Sequence, residues 1–248
     1  MQKTNSFFDL LEFATNEAMI PGEQFYAYRL SAMKDEYPNQ MELPAIMEDL
    51  SFDERSSMIV NQQYTSRREA HIKKLTKQAQ LRDTTACLEH LDYDPARKMK
   101  KAMVGQLSDC KWVANGQNLI IMGATGVGKT YLLSAFGRVA CMHGYKVRAY
   151  RMTRMLTDLA IGKGDSSYNR LIHELTKPDL LILDDFGMKH INVDVSQDLL
   201  EVIEERYHQN KSIGISAQLP VKEWPGIIMD LTVADAIMDR VVRNAYRF

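Results

Sequence analysis

The stretch Gly123-Ala-Thr-Gly-Val-Gly-Lys129-Thr130 constrains this chain more than any other. It meets the pattern G-x-x-x-x-G-K-[ST] at every fixed position, directly after the apolar run at 118–122 and directly before a helical pattern. Each residue type there has a physical task. Glycines let the backbone curl so that its N–H groups converge on an anion. A helix opening near Gly128 adds the positive end of its dipole. Lys129 offers a point charge to the β- and γ-phosphates of a nucleotide, and the Thr130 hydroxyl suits Mg²⁺. Gly123, Ala124, Thr125, Gly126, Val127, Gly128, Lys129, Thr130 and Tyr131 therefore form the expected phosphate cradle, with ATP and Mg²⁺ as its expected ligands.

The pattern around this loop predicts the fold. Strand candidates at 118–122, 146–151, 179–184 and 212–216 alternate with helical stretches at 128–143, 153–161, 169–177 and 196–209. Such alternation predicts a parallel sheet with helices on both faces. Before residue 118 the sequence reads as helices. Ser6 heads a helix over 7–19 that Pro21-Gly22 stops, and a second helix over 23–36 ends near Pro38. Ser51 with Glu54 three residues on has the order of a helix cap. Between 65 and 81, Ile72, Leu75 and Ala79 recur at helical spacing.

A second acidic signal supports the phosphate loop. Leu180-Leu-Ile-Leu-Asp184-Asp185 is a buried-strand pattern that ends in two acids. By itself it also fits a strand running into a solvated turn before Gly187. Beside a phosphate loop, Asp184 is the expected Mg²⁺ holder with Thr130, and Asp185 the expected general base toward water.

Net charge is −1 for 248 residues, but the charge is uneven. Residues 1–66 hold four basic and eleven acidic side chains, and residues 67–104 hold ten and five. Residues 105–248 are nearly balanced at seventeen and sixteen. The expected regions are an acidic helical N-terminal part (1–66), a basic helical part (67–104) and an α/β nucleotide-binding domain (105–248). Arg67, Arg68, Lys73, Lys74, Lys77 and Arg82, followed by Arg97, Lys98, Lys100 and Lys101, fit either a solvated helical face or a phosphate-contacting surface. Three cysteines without metal-ligand spacing read as small core residues in a reducing compartment. No apolar run approaches a membrane span, and acidic residues by Asp9 and Glu12 argue against a secretory leader; a cytoplasmic protein is expected.

These residues together resemble the IstB-like ATP-binding proteins of insertion sequences, over roughly residue 28 to the end. The matching stretches include Leu107–Trp112, 118–130 and 180–187, Asp198-Leu-Leu-Glu201 with Arg206-Tyr207, Gln218-Leu-Pro220, and Ala234-Asp-Ala-Ile-Met-Asp-Arg240. The family lies in the AAA+ initiator clade, near the helicase loader DnaC and the initiator DnaA. The resemblance implies a P-loop NTPase of AAA+ type, with a five-stranded parallel sheet flanked by helices and a small helical N-terminal domain. It implies an ATPase that binds duplex DNA, oligomerises in a ring or filament, and recruits the transposase of the same element. A helicase loader and a nucleotide-gated DNA scaffold with little turnover are the alternatives. It further implies that Ser216 is the polar sensor orienting water or γ-phosphate, and that Arg240, or failing it Arg243, is the arginine finger. The basic helix becomes a duplex-binding surface, with Lys163 and Arg170 as secondary contacts. This chain has Ser216-Ala-Gln218 where many relatives have Thr-Ser-Gln. Its second acid is Asp185 where the wider class mostly has Glu, which implies slow turnover. Its first 25 or so residues are an extension.

Overall fold

The protein is described here by a computed structural model covering residues 29–42, 47–93 and 99–248. The helix expected over 7–19, the start of that over 23–36, and Arg97 and Lys98 lie outside the described residues. Packing divides the chain into two units, Met1–His71 and Ile72–Phe248.

In the first unit, α1 (Ser31–Glu42) runs four residues beyond its expected end at Pro38. Proline removes its own N–H from the ladder and crowds the carbonyl four residues back, yet the helix continues past Pro38. The turn beyond it is fastened by Gln40, buried, whose Nε2 donates to Arg55 O at 3.0 Å. Buried Gln63 accepts from Met33 N at 3.3 Å and ties the same pair of helices. The cap expected at Ser51 is present in both directions. Glu54 N donates to Ser51 Oγ at 3.3 Å, and Ser51 N donates to Glu54 Oε2 at 2.8 Å. It opens α2 (Phe52–Ala79), one helix of 28 residues.

The second unit is built on five parallel strands in the order β2-β3-β4-β1-β5. These are β1 (Asn118–Met122), β2 (Val147–Arg151), β3 (Leu180–Phe186), β4 (Ser212–Ala217) and β5 (Ala245–Arg247). Helices α3 (Lys101–Leu107) and α4 (Lys111–Ala114) precede the sheet. Within it come α5 (Lys129–Met142), α6 (Met152–Asp165), α7 (Tyr168–Thr176), α8 (Val193–His208) and α9 (Leu231–Val242).

Alternation along each strand splits the core into two layers. Leu119, Ile121, Leu180 and Ile182 face α5 through Leu132, Leu133 and Phe136. Ile120, Leu181, Leu183, Ile213 and Ile215 face the other way, toward α6, α8 and α9. β1 lies between β4 and β5, so the chain leaves it on one side and returns on the other. The carboxyl end of such a switch strand is where open α/β sheets bind ligands.

The described part of the basic segment contributes buried residues to the core of the α/β sheet. Leu75, Ala79, Leu81, Ala86, Leu88, Val104 and Leu107 are buried in the same core as α5 and β1. Charge composition changes at residue 105, but described residues on both sides of it share one core. Close approach shows at Gly137 of α5, where a Cβ would lie 2.7 Å from Ile182 Cδ1 and 2.8 Å from Leu81 Cδ2. Cys110 and Cys141 are buried free thiols. Burial pushes their pKa values up to about 12 and about 11 respectively, so both stay protonated and fit the core reading. Among the described residues no helix is long and apolar enough to cross a membrane.

Candidate active site

At the end of β1 the loop turns on left-handed glycines. Gly126 (φ +84°) and Gly128 (φ +92°) take conformations that L side chains rarely adopt, and Gly128 caps α5. Ala124, Thr125, Gly126, Val127 and Gly128 are exposed, as a loop that wraps a ligand requires. Lys129 is buried, and its Nζ donates to Ala124 O at 2.7 Å, so its charge lies across the loop. Thr130 turns its hydroxyl to both oxygens of Asp184, at 3.0 and 3.1 Å. Tyr131 anchors the segment before the sheet, its hydroxyl donating to Cys87 O at 3.2 Å and accepting from Cys87 N at 3.1 Å.

The two acids share one side of β3 because the strand breaks its register there. The β3–β4 pairing shifts between Leu183 and Phe186, and Asp185 sits at φ +62°. In a regular strand successive side chains point to opposite faces. Here both carboxylates reach one guanidinium nitrogen: Arg82 Nη1 lies 2.7 Å from Asp184 Oδ2 and 2.9 Å from Asp185 Oδ2. Arg151 Nε, at the end of β2, adds an ion pair of 3.1 Å to Asp185 Oδ2. The Asp184 side chain is 3% exposed and that of Asp185 19%. Partial burial works against the Arg82 charge, but hydrogen bonds and attraction from the two acids outweigh it and raise its pKa.

Ser216, at 0% exposure on β4, stands behind this pair. Its hydroxyl donates to Asp184 Oδ1 and accepts from Asp185 N at 3.0 Å. In this arrangement it orients the acids themselves. Thr130 and Asp184 form an oxygen-only donor set with a single carboxylate, which fits Mg²⁺, an ion usually held by one or two carboxylates plus phosphate oxygens.

Next to the loop lies a cavity of about 880 Å³. Its lining includes Leu91, Met122, Val127, Tyr131 and Phe248 around Gly128 and Lys129. A largely apolar cavity that meets the phosphate loop at one end has the form needed for a nucleoside. Apart from Gly123, Val127, Gly128, Lys129 and Tyr131, its residues were not legible as a site, since His90, Asp92 and Phe248 come from distant parts of the chain.

Comparison with known proteins decides the family: the IstB-like ATP binding protein family matches residues 24–247. The chain belongs to it. An insertion sequence IS1162 ATP-binding protein from Pseudomonas fluorescens is 37% identical over 197 residues, 79% of this chain and 84% of its own length. Insertion sequence ATP-binding protein y4pL of Sinorhizobium fredii is 38% identical over 200 residues, 81% of each chain. The crystal structure of the DnaC helicase loader superposes with a TM-score of 0.55 at 17% identity, over 64% of this chain and 96% of that one. That likeness is one of fold, the AAA+ form of the P-loop sheet.

The remaining expected residues of this IstB-like chain fall in different settings. Arg240, near the end of α9, pairs with Glu204 of α8 at 2.7 Å and donates to Ala236 O at 3.0 Å. Its Nε is buried without a partner among the described residues. Asn118 fixes this end of α9, since its Nδ2 donates to Arg240 O and Val241 O at 3.2 and 3.0 Å. Arg243 is more exposed and pairs with Asp239 at 3.0 Å. Among the described residues neither arginine contacts Asp184 or Asp185.

Of the expected DNA-binding residues, Arg67, Arg68, Lys73, Lys74, Lys77 and Arg170 are exposed. Lys73, Lys74 and Lys77 share the side of α2 opposite Leu75 and Ala79. Arg82 departs from the expected role, since its guanidinium is bound to the acid pair. Lys163 is engaged too: Nζ lies 2.6 Å from the nearly buried Asp198 and over the Tyr168 ring, whose hydroxyl bonds Asp198 and Glu201. That cluster fastens the α6–α7 hairpin to α8, which explains the Asp198–Glu201 stretch noted in the sequence.

Proposed function

We propose that this chain is an Mg²⁺-dependent ATPase that assembles on duplex DNA, selects or remodels target DNA, and recruits and stimulates the transposase of its insertion sequence. The observation that carries the catalytic part is the meeting of Thr130 with the Asp184–Asp185 pair at the end of β3. Loop N–H groups and Lys129 bind the phosphates, with Lys129 leaving Ala124 O for them. Thr130 and Asp184 hold Mg²⁺, which when bound neutralises charge on the phosphate oxygens. Asp185 takes the proton of the attacking water, and Ser216 holds the Asp184 carboxylate and the Asp185 backbone in place. Arg240 acts on the site of a neighbouring copy, where a cation stabilises charge on the transferring phosphoryl group. Support for the DNA part is the exposed lysine face of α2 together with the family membership.

The division of labour between the acids is testable. Asp185→Asn retains binding of ATP with Mg²⁺ and loses turnover, by about 10²-fold or more. Asp184→Asn also weakens the Mg²⁺-dependent part of binding. Nucleotide titration and phosphate release on both variants check this. Wild-type hydrolysis by Asp185→Asn would place the base elsewhere.

A further inference from the structure

Asp184 has two oxygens, and both are engaged. Oδ1 accepts from Ser216 and Thr130, while Oδ2 accepts from Thr130 and Arg82. A divalent cation that binds Asp184 together with the Thr130 hydroxyl needs one of these positions. Thr130 belongs to the same donor set, and Ser216 is fully buried behind the strand. Arg82 is the partner that can leave, since its side chain is 43% exposed. Two cations cannot share one carboxylate oxygen at contact distance without strong repulsion, because screening is weak beside a carboxylate that is 3% exposed.

We infer that Arg82 is a tethered competitor of the metal: its guanidinium holds the Asp184–Asp185 pair in the metal-free chain and sets how much Mg²⁺ is needed to load nucleotide. This rests on the proposed assignment of Asp184 to the metal. The tether is short because the backbone on either side is fastened. Leu81 is buried against Gly137, and Asp83 N donates to Ser134 Oγ at 3.4 Å, both on the helix that follows the phosphate loop. Asp83 in turn accepts from Thr85 N at 2.9 Å and Thr85 Oγ1 at 2.7 Å, closing a tight turn. Release therefore occurs by rotation of the Arg82 side chain, with the backbone held. Without Arg82 the two acids would face each other with Arg151 alone as counter-charge, and Arg151 touches only Asp185. Arg82 is thus a positioning residue for the acid pair and a charge rival of the ion that replaces it.

The test measures the Mg²⁺ concentration for half-maximal binding of a non-hydrolysable ATP analogue to the full chain. Mn²⁺ binding without nucleotide, followed by electron paramagnetic resonance, serves as a second readout independent of turnover. Arg82→Gln lowers both midpoints by about tenfold or more, the scale of one hydrogen bond between charged groups. Arg82→Lys, which keeps the charge, returns them most of the way to wild type. Arg82→Met, of similar length, replaces Arg82→Gln if that variant does not fold. An unchanged midpoint in the uncharged variant, or a raised one, overturns the inference; the raised one would mean that Arg82 binds phosphate. Asp184→Asn separates the two assignments. If it raises the midpoint while Arg82→Gln changes nothing, the metal assignment stands and only the competitor role falls. If Asp184→Asn leaves the midpoint unchanged, both fall.

Discussion

The acid end of β3 and the lysine face of α2 carry charge in opposite ways. At β3, the two carboxylates are met between them by partners from β2, β4, α5 and the turn after α2, and their directions follow a register shift and a left-handed residue. On α2, Lys73, Lys74 and Lys77 project from one exposed helix with no ion-pair partner among the described residues. The first region specifies geometry, and geometry is what proton transfer and metal binding demand. The second specifies only charge density, which suffices for a phosphate backbone whose position varies with sequence. One change in the first region should therefore cost much, whereas changes in the second should add up gradually.

The largest expected effect falls on a residue outside both regions. Arg240→Ala should lower DNA-dependent turnover by about 10³-fold or more, the scale of other arginine fingers. ATP affinity of the isolated chain should hardly change, since Arg240 pairs there with Glu204. Equal loss of binding and turnover would make Arg240 a structural member of α9 instead. Arg243, less confined by its pair with Asp239, would then be tested next.

A smaller, graded effect is expected on α2. Replacing Lys73, Lys74 and Lys77 by alanine together should weaken duplex binding about tenfold at moderate salt, alike for all sequences. The slope of log affinity against log salt should flatten by about 0.9 for each phosphate no longer neutralised. Melting temperature should stay near wild type, because these side chains lie outside the core. Unchanged affinity and slope would return α2 to a solvated helical face and erase its contrast with β3.

The same contrast explains what could be read in the sequence. The phosphate loop was legible because consecutive positions each answer a backbone or chemical need. The four longer strands were legible from their apolar runs, to within two residues at each end. β5 was not, being three residues long and carrying Tyr246 and Arg247 on an edge. The acid pair was legible from its place at the end of an apolar strand, but its partner was not. Arg82 stands 102 residues from Asp184, at the end of a basic run where local composition assigns it to the solvent face. Arg206 shows the same limit. It lies on α8 at 0% exposure and donates to the carbonyls of Leu175, Pro178, Asp179 and Ser212, joining α7, the turn before β3, and β4. Burial lowers its pKa to about 9. A helical arginine reads as exposed until the fold supplies unpaired carbonyls around it.

The central claim is that the active site is completed between copies of this chain on DNA. Mixing Lys129→Ala with Arg240→Ala subunits over duplex DNA tests it most directly. Each variant alone should be nearly inactive, the first for want of a cation on the phosphates and the second for want of a finger. In an even mixture about a quarter of the head-to-tail interfaces would join an intact loop to an intact finger. The account predicts that turnover recovers toward that fraction of wild type. A mixture no more active than its parents, or full activity from Arg240→Ala by itself, would contradict it and leave a self-contained site in each subunit.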